Sequence, residues 1–425
     1  MSAKKLSLCL LLLAALGLFS CSKLGPSVGP VSSQPAAGIL HWNKIAYTAF
    51  GGPEYQHSLM AARINAMMHL AIHDALNGIE EKYSRYAFTG KDNKADANAA
   101  AAVAAHVILL NEIPDRKTYL DSVLSQSLTA VKNDEAKTRG IALGKAAGQA
   151  VLNKRINDGS TGDIFGQIPQ SEQSGIYQPV PPFNIMYAPF WENVKLFSLE
   201  KKDQFRSAPQ PELSSKAYAI DFNEVKEAGK LNSATRTPDQ TAYAKFWYEF
   251  SEVGWNRVAN TVITSKKLNM LEAARLLALV DMAIADAYTA GWDSKIHYNF
   301  WRPYTAIRKA HIDGNNETAP DVTWEPAEHT PPVQDYPSTH SALGNAAATV
   351  LAGVLGDKTP FSVTSTTAFP AGSIRNFNSF SQAAKENADS RVRAGIHFRF
   401  SCDAGLELGK NVGKWTLDND LRPVK

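Results

Sequence analysis

Long segments with apolar residues at helical spacing constrain the fold of this chain more than any other feature. In residues 268–290 the apolar positions recur every three or four residues without a break, and eight further segments have the same period. No segment alternates between polar and apolar residues as a half-buried strand does. The sequence therefore predicts an all-α protein whose helices pack as bundles. The predicted helices are 60–77, 95–110, 115–131, 134–157, 237–252, 268–290, 338–355, 379–394 and 401–417.

Residues 159–213 have a different character, rich in Pro, Gln, Gly, Asn and aromatic residues. This composition predicts a long ordered loop packed on the surface. We expect the chain to divide into an N-terminal helical region, 39–235, and a C-terminal helical domain, 236–425. A chain of 425 residues is long enough for two packed units or one large one.

The first residues have the pattern of an export signal. Lys4 and Lys5 precede an apolar run, 6–19, which is too short to span a bilayer comfortably and typical of a signal peptide. Leu18-Phe19-Ser20-Cys21 resembles a bacterial lipobox, which predicts a lipoprotein signal peptide over 1–20 and lipidation of Cys21. An ordinary secretory signal is the alternative.

Both alternatives predict an exported protein. Lipidation of Cys21 would make it a periplasmic or cell-surface lipoprotein that meets the membrane only through its lipid anchor. The following segment, 21–38, is rich in Ser, Pro and Gly, and we expect it to be a flexible tether.

Composition and charge exclude several classes of protein. Lys and Arg total 44 against 41 Asp and Glu, and no basic stripe with interleaved aromatic residues is present, so we expect no nucleic-acid partner. Three cysteines in so long a chain cannot form a disulfide framework. Nothing in the sequence indicates the oligomeric state.

Three segments of the C-terminal half combine residues that bind anions. They are Lys295-x6-Arg302-Pro303, Pro337-Ser338-Thr339-His340 and Ser390-Arg391-x5-His397. Each alone is more typical of surface charges or a helix cap. Together they supply cations, a hydroxyl group, two imidazoles and the free N–H groups of a helix start. The combination predicts a pocket for a tetrahedral or trigonal-bipyramidal oxyanion.

The order and spacing of these segments resemble the vanadium-dependent haloperoxidase and type 2 phosphatidic acid phosphatase superfamily. Its signature is Lys-x6-Arg-Pro, Pro-Ser-Gly-His and Ser-Arg-x5-His. The amino-acid sequences of 300–308 and 395–400 resemble those of the haloperoxidases more than those of the phosphatases. The resemblance implies a helical-bundle fold of that type, vanadate as cofactor, and oxidation of iodide or bromide by hydrogen peroxide.

The resemblance also implies a role for each motif residue. His397 would be the protein ligand of vanadate, and His340 would take a proton from hydrogen peroxide. Lys295 would also polarise the bound peroxide, and Trp292 and Val333 would line the substrate pocket. The groups that would hold the vanadate oxygens are Lys295, Arg302, Arg391, the Ser338 hydroxyl and the Thr339 backbone N–H.

The chain departs from the superfamily pattern at two positions. Thr339 replaces the usual Gly, and Ser401 stands four residues after His397, where many members have Asp. Two alternative functions stay open. Phosphate can take the place of vanadate, and the protein would then be an acid phosphatase that hydrolyses phosphate monoesters through a phosphohistidine at His397. The two departures also motivate a non-catalytic oxyanion-binding lipoprotein.

Overall fold

The computed structural model describes residues 29–55, 57–167 and 171–424, and within them it confirms the all-α class. The predicted signal peptide, 1–20, and Cys21 lie outside the described residues. The helices are α1 (Ala37–Ala49), α2 (Ser58–Ile79), α3 (Ala97–Glu112), α4 (Lys117–Thr129), α5 (Asp134–Lys154), α6 (Lys216–Ala228), α7 (Pro238–Phe246), α8 (Ser251–Lys266), α9 (Met270–Tyr298), α10 (Pro303–Arg308), α11 (Thr339–Leu355), α12 (Phe380–Arg393) and α13 (Arg399–Asn419).

Two short antiparallel ribbons accompany the helices, although the sequence analysis predicted no strand. The strands β1 (Phe165–Gly166) and β2 (Met186–Tyr187) pair with each other, as do β3 (Phe361–Thr364) and β4 (Ile374–Phe377). With two to four residues each, these strands are too short to show a recognisable alternation. None of the helices among the described residues is both long and apolar enough to cross a membrane.

Helix α9 is the centre of the fold. Asn269 and Glu272 close its first turn with a capping box, and almost every residue from Met270 to Lys295 is buried. One side of α9 packs against α2 and another against α11. The largest apolar cluster therefore runs from Val31 to Leu421 and crosses the division expected at 235/236, so both predicted regions share one core.

Glycines on α13 set its distance from α11. A Cβ atom at Gly405, Gly409 or Gly413 would lie 2.3, 2.0 or 2.6 Å from a backbone oxygen of Ser338, Ala342 or Ala346. The two helix backbones therefore touch directly along this seam, which holds the start of α11 against the first turns of α13.

The prediction of a flexible tether over 21–38 is wrong for its last part. Val31 is fully buried, and α1 already begins at Ala37. The Ser32 backbone N–H and hydroxyl donate to the Glu80 carboxylate at 2.9 and 2.6 Å, which fixes this segment to the end of α2. The polar composition of this segment therefore serves hydrogen bonding within the fold, as Ser32 shows. Residues 21–28 lie outside the described residues.

The prediction of a surface loop over 159–213 also needs correction. Tyr177, Val180 and Trp191 are buried, so this segment packs into the protein. Three consecutive backbone N–H groups, at 197–199, donate to the Asp286 carboxylate of α9 at 2.7 to 2.8 Å. A buried carboxylate on the central helix therefore holds residues 197–199, which belong to no helix or strand.

Candidate active site

Two buried basic side chains of the predicted site donate hydrogen bonds to the backbone carbonyls of the same short segment. Lys295 lies near the end of α9 and Arg302 just before α10. The Lys295 ammonium donates to the carbonyls of Gln334 and Asp335 at 2.6 and 3.0 Å. Arg302 Nε donates to the Val333 carbonyl at 2.7 Å. Segment 333–335 therefore fixes both side chains. Val333, predicted as a residue of the substrate pocket, contributes its carbonyl oxygen as the acceptor for Arg302.

His397 lies between Arg302 and a carboxylate that the sequence analysis missed. Arg302 Nη1 lies against both ring nitrogens, 2.9 Å from Nε2 and 3.4 Å from Nδ1. Nδ1 is also 2.9 Å from Asp335 Oδ1, an oxygen that has no hydrogen-bond partner. The other Asp335 oxygen accepts a hydrogen bond from the Ser401 hydroxyl. The available signal in the sequence was a carboxylate placed directly before the motif Tyr336-Pro337-Ser338.

Burial and mutual repulsion set the charges in the site. Burial, and after it Arg302 and Lys295, holds the pKa of His397 well below its ordinary value, so the imidazole is neutral at neutral pH. Burial and then the Arg302 charge hold the pKa of Lys295 well below 10.5. Burial raises the pKa of Asp335 to about 6. An incoming anion would favour the charged form of Lys295.

Arg391, on α12, is buried and has few hydrogen-bond partners in the protein. Only 4% of it is exposed, and it donates a long hydrogen bond of 3.3 Å to the Trp247 carbonyl. Its Nε is buried without a partner, and no carboxylate of the described residues lies within 4.0 Å of its guanidinium. Burial lowers its pKa to about 10, so it stays charged at neutral pH. These unused donors suit a bound oxyanion.

His340, in the first turn of α11, is held by a residue from another helix. Its Nδ1 is 3.0 Å from the hydroxyl oxygen of Ser251, the first residue of α8. Burial and then the Arg391 charge hold the pKa of His340 well below 6.5. The neutral imidazole can therefore accept a proton. Sequence reasoning missed Ser251.

The segment that supplies Ser251 is the place where a predicted helix breaks. The single helix expected over 237–252 is wrong, because α7 ends at Phe246 and α8 begins at Ser251. Phe250 precedes α8 and makes no side-chain cap, so the sequence carries no start signal there. The break turns the Trp247 carbonyl toward Arg391 and the Ser251 hydroxyl toward His340.

The start of α11 accommodates Thr339 through a gap on α9. The Thr339 side-chain atoms lie 3.0 and 3.1 Å from the point where a Cβ on Gly291 would stand. Thr339 is therefore accommodated because residue 291 is Gly. As the first residue of α11, Thr339 has an N–H without an intrahelical acceptor. Ser338 caps the helix, and its N–H donates to the Ser401 carbonyl at 2.8 Å.

Trp292 lies on α9 one turn before Lys295 and is buried. Its indole N–H donates to the Tyr187 carbonyl at 3.4 Å, and its ring packs edge-on against Tyr288 at 5.7 Å. The helix thus presents Trp292 toward segment 186–188. Its contact with a halide stays a prediction.

Comparison with known proteins finds a family match over the C-terminal part of the chain. Residues 275–424 match a family model described as the VCPO second helical-bundle domain, and this range contains every residue predicted to bind the oxyanion. The vanadium chloroperoxidase of Curvularia inaequalis is 26% identical over 298 residues, or 54% of this chain. These matches support the resemblance to the vanadium haloperoxidase superfamily that the sequence motifs indicated. The match covers 48% of the fungal enzyme, so it spans about half of that relative's length.

Solved structures confirm the fold of the superfamily for this chain. A bacterial vanadium-dependent iodoperoxidase aligns with a TM-score of 0.80 at 24% identity, over 94% of this chain and 100% of that one. The holo-type bacterial vanadium-dependent chloroperoxidase aligns with a TM-score of 0.68 at 18% identity, over 84% and 90%. The helical bundle of the superfamily therefore extends over both predicted regions of the chain.

Proposed function

We propose that the protein is a vanadate-dependent haloperoxidase that oxidises iodide or bromide with hydrogen peroxide. The observation that carries the proposal is the convergence of three buried cations and a neutral imidazole on one site, in a chain with this superfamily's fold. Iodide is the more readily oxidised of the two halides and is the first substrate to test.

The residues present fit vanadate. Among the described residues, Lys295, Arg302 and Arg391 are near the Asp335 carboxylate, and Glu328 acts on Arg391 from beyond ion-pair distance, so cationic groups outnumber carboxylates in the site. Arg391 Nε and Thr339 Oγ1 are buried polar atoms without a partner in the protein. An oxyanion of several negative charges would satisfy both the charge and the unused donors.

Each residue has a distinct task in the proposed reaction. The three cations, the Ser338 hydroxyl and the Thr339 N–H would hold the oxyanion oxygens, and His397 Nε2 would be the ligand. Bound vanadate would supply a Lewis-acidic centre that activates hydrogen peroxide without changing its own oxidation state.

His340 supplies the acid–base function. Because its pKa is held well below 6.5, it is neutral and able to take a proton from hydrogen peroxide, while Ser251 fixes its ring. In the overall reaction the peroxide O–O bond breaks, the halide loses two electrons, and one proton is consumed. The products are hypohalous acid and water.

One sample assayed in two ways tests the proposal. The purified protein is given hydrogen peroxide and iodide or bromide with and without vanadate, and halogenation of a phenol dye is measured. The same sample is given an aryl phosphate. We expect vanadate-dependent halogenation that disappears in His397→Ala. Absence of halogenation with either halide at saturating vanadate would refute the proposal. Steady ester hydrolysis blocked by vanadate would instead indicate an acid phosphatase, and anion binding without turnover a binding protein.

We also propose that the protein is exported and anchored by a lipid on Cys21. The support is the sequence of 1–21 alone. Labelling of cells with a radioactive fatty acid should mark the wild-type protein and leave Cys21→Ser unlabelled, whereas equal labelling of both would contradict the anchor.

A further inference from the structure

We propose that a cavity between α1, α2 and α8 is a second ligand site, and that it takes a neutral, hydroxyl-rich molecule of about the size of a monosaccharide. The cavity has a volume of about 330 Å³, at the lower end of the range of small-molecule sites. The described residues that line it lie in 40–65 and 252–260, whereas those predicted to bind the oxyanion lie in 295–397. The inference therefore does not depend on the proposed function.

An asparagine of α2 is buried in the wall of this cavity with an unused hydrogen-bonding atom. Asn65 is 6% exposed, and its Oδ1 atom accepts no hydrogen bond from any described residue. A buried amide oxygen without a partner costs free energy, so a protein group, a water or a ligand normally supplies one. The neighbouring Nδ2 group can only donate. A ligand for Asn65 therefore needs a donor and an acceptor side by side, as adjacent hydroxyl groups provide.

Three further asparagines line the same cavity and hold one another in place. Asn43 Nδ2 donates to Asn256 Oδ1 and Asn260 Oδ1 at 3.1 and 3.0 Å. These contacts join α1 to two successive turns of α8, so the amide groups are fixed before a ligand arrives. Each of the two carbonyl oxygens can accept a second hydrogen bond. The cavity thus offers preorganised, uncharged hydrogen-bonding groups from three helices.

The charged side chains of the cavity favour a neutral ligand. Both Glu252 carboxyl oxygens already accept hydrogen bonds from tyrosine hydroxyl groups, at 2.6 and 3.1 Å. Burial raises the pKa of Glu252 to about 7, so its negative charge is only partial at neutral pH. Arg257 donates to both Glu249 carboxylate oxygens at 2.7 and 3.0 Å. Lys44 is exposed, and its ammonium can stay in water.

Aromatic rings form another part of the wall. Tyr47 of α1 and Phe50, directly after α1, are half-buried. Tyr55 is buried, and its ring centre is 5.8 Å from that of Phe50. The C–H groups of a sugar or cyclitol ring pack against such rings while the hydroxyl groups reach the amides. Aromatic rings combined with amide groups therefore fit a polyhydroxylated ring better than an ion or an aliphatic chain.

Saturation-transfer NMR on the ligand-free protein tests the site with four ring compounds. D-glucose and myo-inositol carry several hydroxyl groups, cyclohexanol carries one, and cyclohexylamine carries a positive charge. We expect a polyol to bind with a Kd of about 1 mM, the affinity of about a dozen non-hydrogen atoms at ordinary efficiency. The other two compounds should bind about tenfold more weakly or worse, because they leave amide groups unpaired. No binding of either polyol at tens of millimolar, or tighter binding of cyclohexanol or cyclohexylamine, would overturn the proposal.

Asn65→Leu locates the site and separates binding from folding. It removes the amide at similar volume together with its unpaired buried oxygen, so the free energy of unfolding in urea should be unchanged or higher. The polyol affinity should fall about tenfold. Asn345→Leu is the matched control, because Asn345 is a half-buried helical asparagine that donates to the Leu406 carbonyl at 2.6 Å, outside the cavity. It should lower stability and leave the affinity unchanged. Wild-type affinity in folded Asn65→Leu would refute the proposal.

His397→Ala shows whether the polyol uses the predicted oxyanion site instead. We expect this variant to bind the polyol as the wild type does, whether or not the wild type oxidises a halide. Loss of polyol binding in folded His397→Ala would place the molecule in the oxyanion site and contradict the proposal.

Discussion

Replacing Arg391 with Met should stabilise the ligand-free protein and weaken its binding of oxyanions. Arg391 is 4% exposed, has one long hydrogen bond, and has no carboxylate of the described residues within 4.0 Å. Burial lowers its pKa from 12.5 to about 10, which corresponds to about 3 kcal/mol against the charged form. Methionine fills a similar volume without this penalty. We expect the free energy of unfolding to rise by about 1–3 kcal/mol, since some packing and the Trp247 contact are lost.

The same substitution should cost affinity. Hydrogen bonds to a charged group contribute about 1.5–3 kcal/mol, so the Kd for vanadate should rise about tenfold to a hundredfold. Urea unfolding with and without vanadate measures both effects, because a ligand that binds only the folded state adds stability according to its Kd. The variant should start from a higher stability and gain less from vanadate.

Arg393→Met is the control for this prediction. Arg393 lies on the same helix but pairs with Asp389 and Glu224 at 3.0 and 3.1 Å near the surface. It should leave the vanadate affinity unchanged. If Arg391→Met destabilised the ligand-free protein and kept the wild-type affinity, Arg391 would be a structural residue and the reasoning about the site's uncompensated charge would be wrong.

Three further substitutions test other parts of the account. Ser251→Ala should lower kcat for halide oxidation about tenfold or more, because the ring of His340 loses its partner, while calorimetry should show an unchanged Kd for vanadate; an unchanged kcat would contradict the assignment. Gly409→Ala should lower the free energy of unfolding in urea by about 1–3 kcal/mol, because its Cβ would stand 2.0 Å from the Ala342 carbonyl oxygen; unchanged stability would show that the seam can open freely. Burial raises the pKa of Glu252 from 4.5 to about 7, so the folded state binds its proton more tightly and its contribution to stability is lost as the pH rises toward 7. In Glu252→Gln the plot of unfolding free energy against pH should lose up to about 1.4 kcal/mol per pH unit of downward slope between pH 4.5 and 7, and an unchanged slope would exclude Glu252 as its source.

The parts of the site that could be predicted from sequence are those with local patterns. Lys295 and Arg302 are seven residues apart in one segment, and the start of α11 follows a Pro-Ser pair, so the combination of these local patterns with the third segment indicated them. The helical period likewise revealed α9 and α11, because each buries an apolar face over several turns.

The missed residues act through contacts between distant segments. Asp335 meets His397 across 62 residues, and Ser251 meets His340 across 89, with no pattern near either to announce the contact. Thr339 departs from the Gly of the superfamily pattern, and the space for its side chain is provided by Gly291 of α9, which is far from it in sequence. The mispredicted helix over 237–252 breaks where the site needs the Trp247 carbonyl and the Ser251 hydroxyl. Local sequence patterns therefore gave the wrong secondary structure at a position where contacts with the site determine the backbone conformation.

The central claim is that His397 binds the vanadate on which halide oxidation depends, while three buried basic side chains hold the vanadate oxygens. The most direct test is a titration of ligand-free protein with vanadate, in which the rate of iodide oxidation by hydrogen peroxide is measured at each step. The account predicts a rate that rises to a plateau at one vanadate per chain and is absent from His397→Ala at every vanadate concentration. A rate that stays at zero at saturating vanadate, or one that persists in His397→Ala, would contradict it.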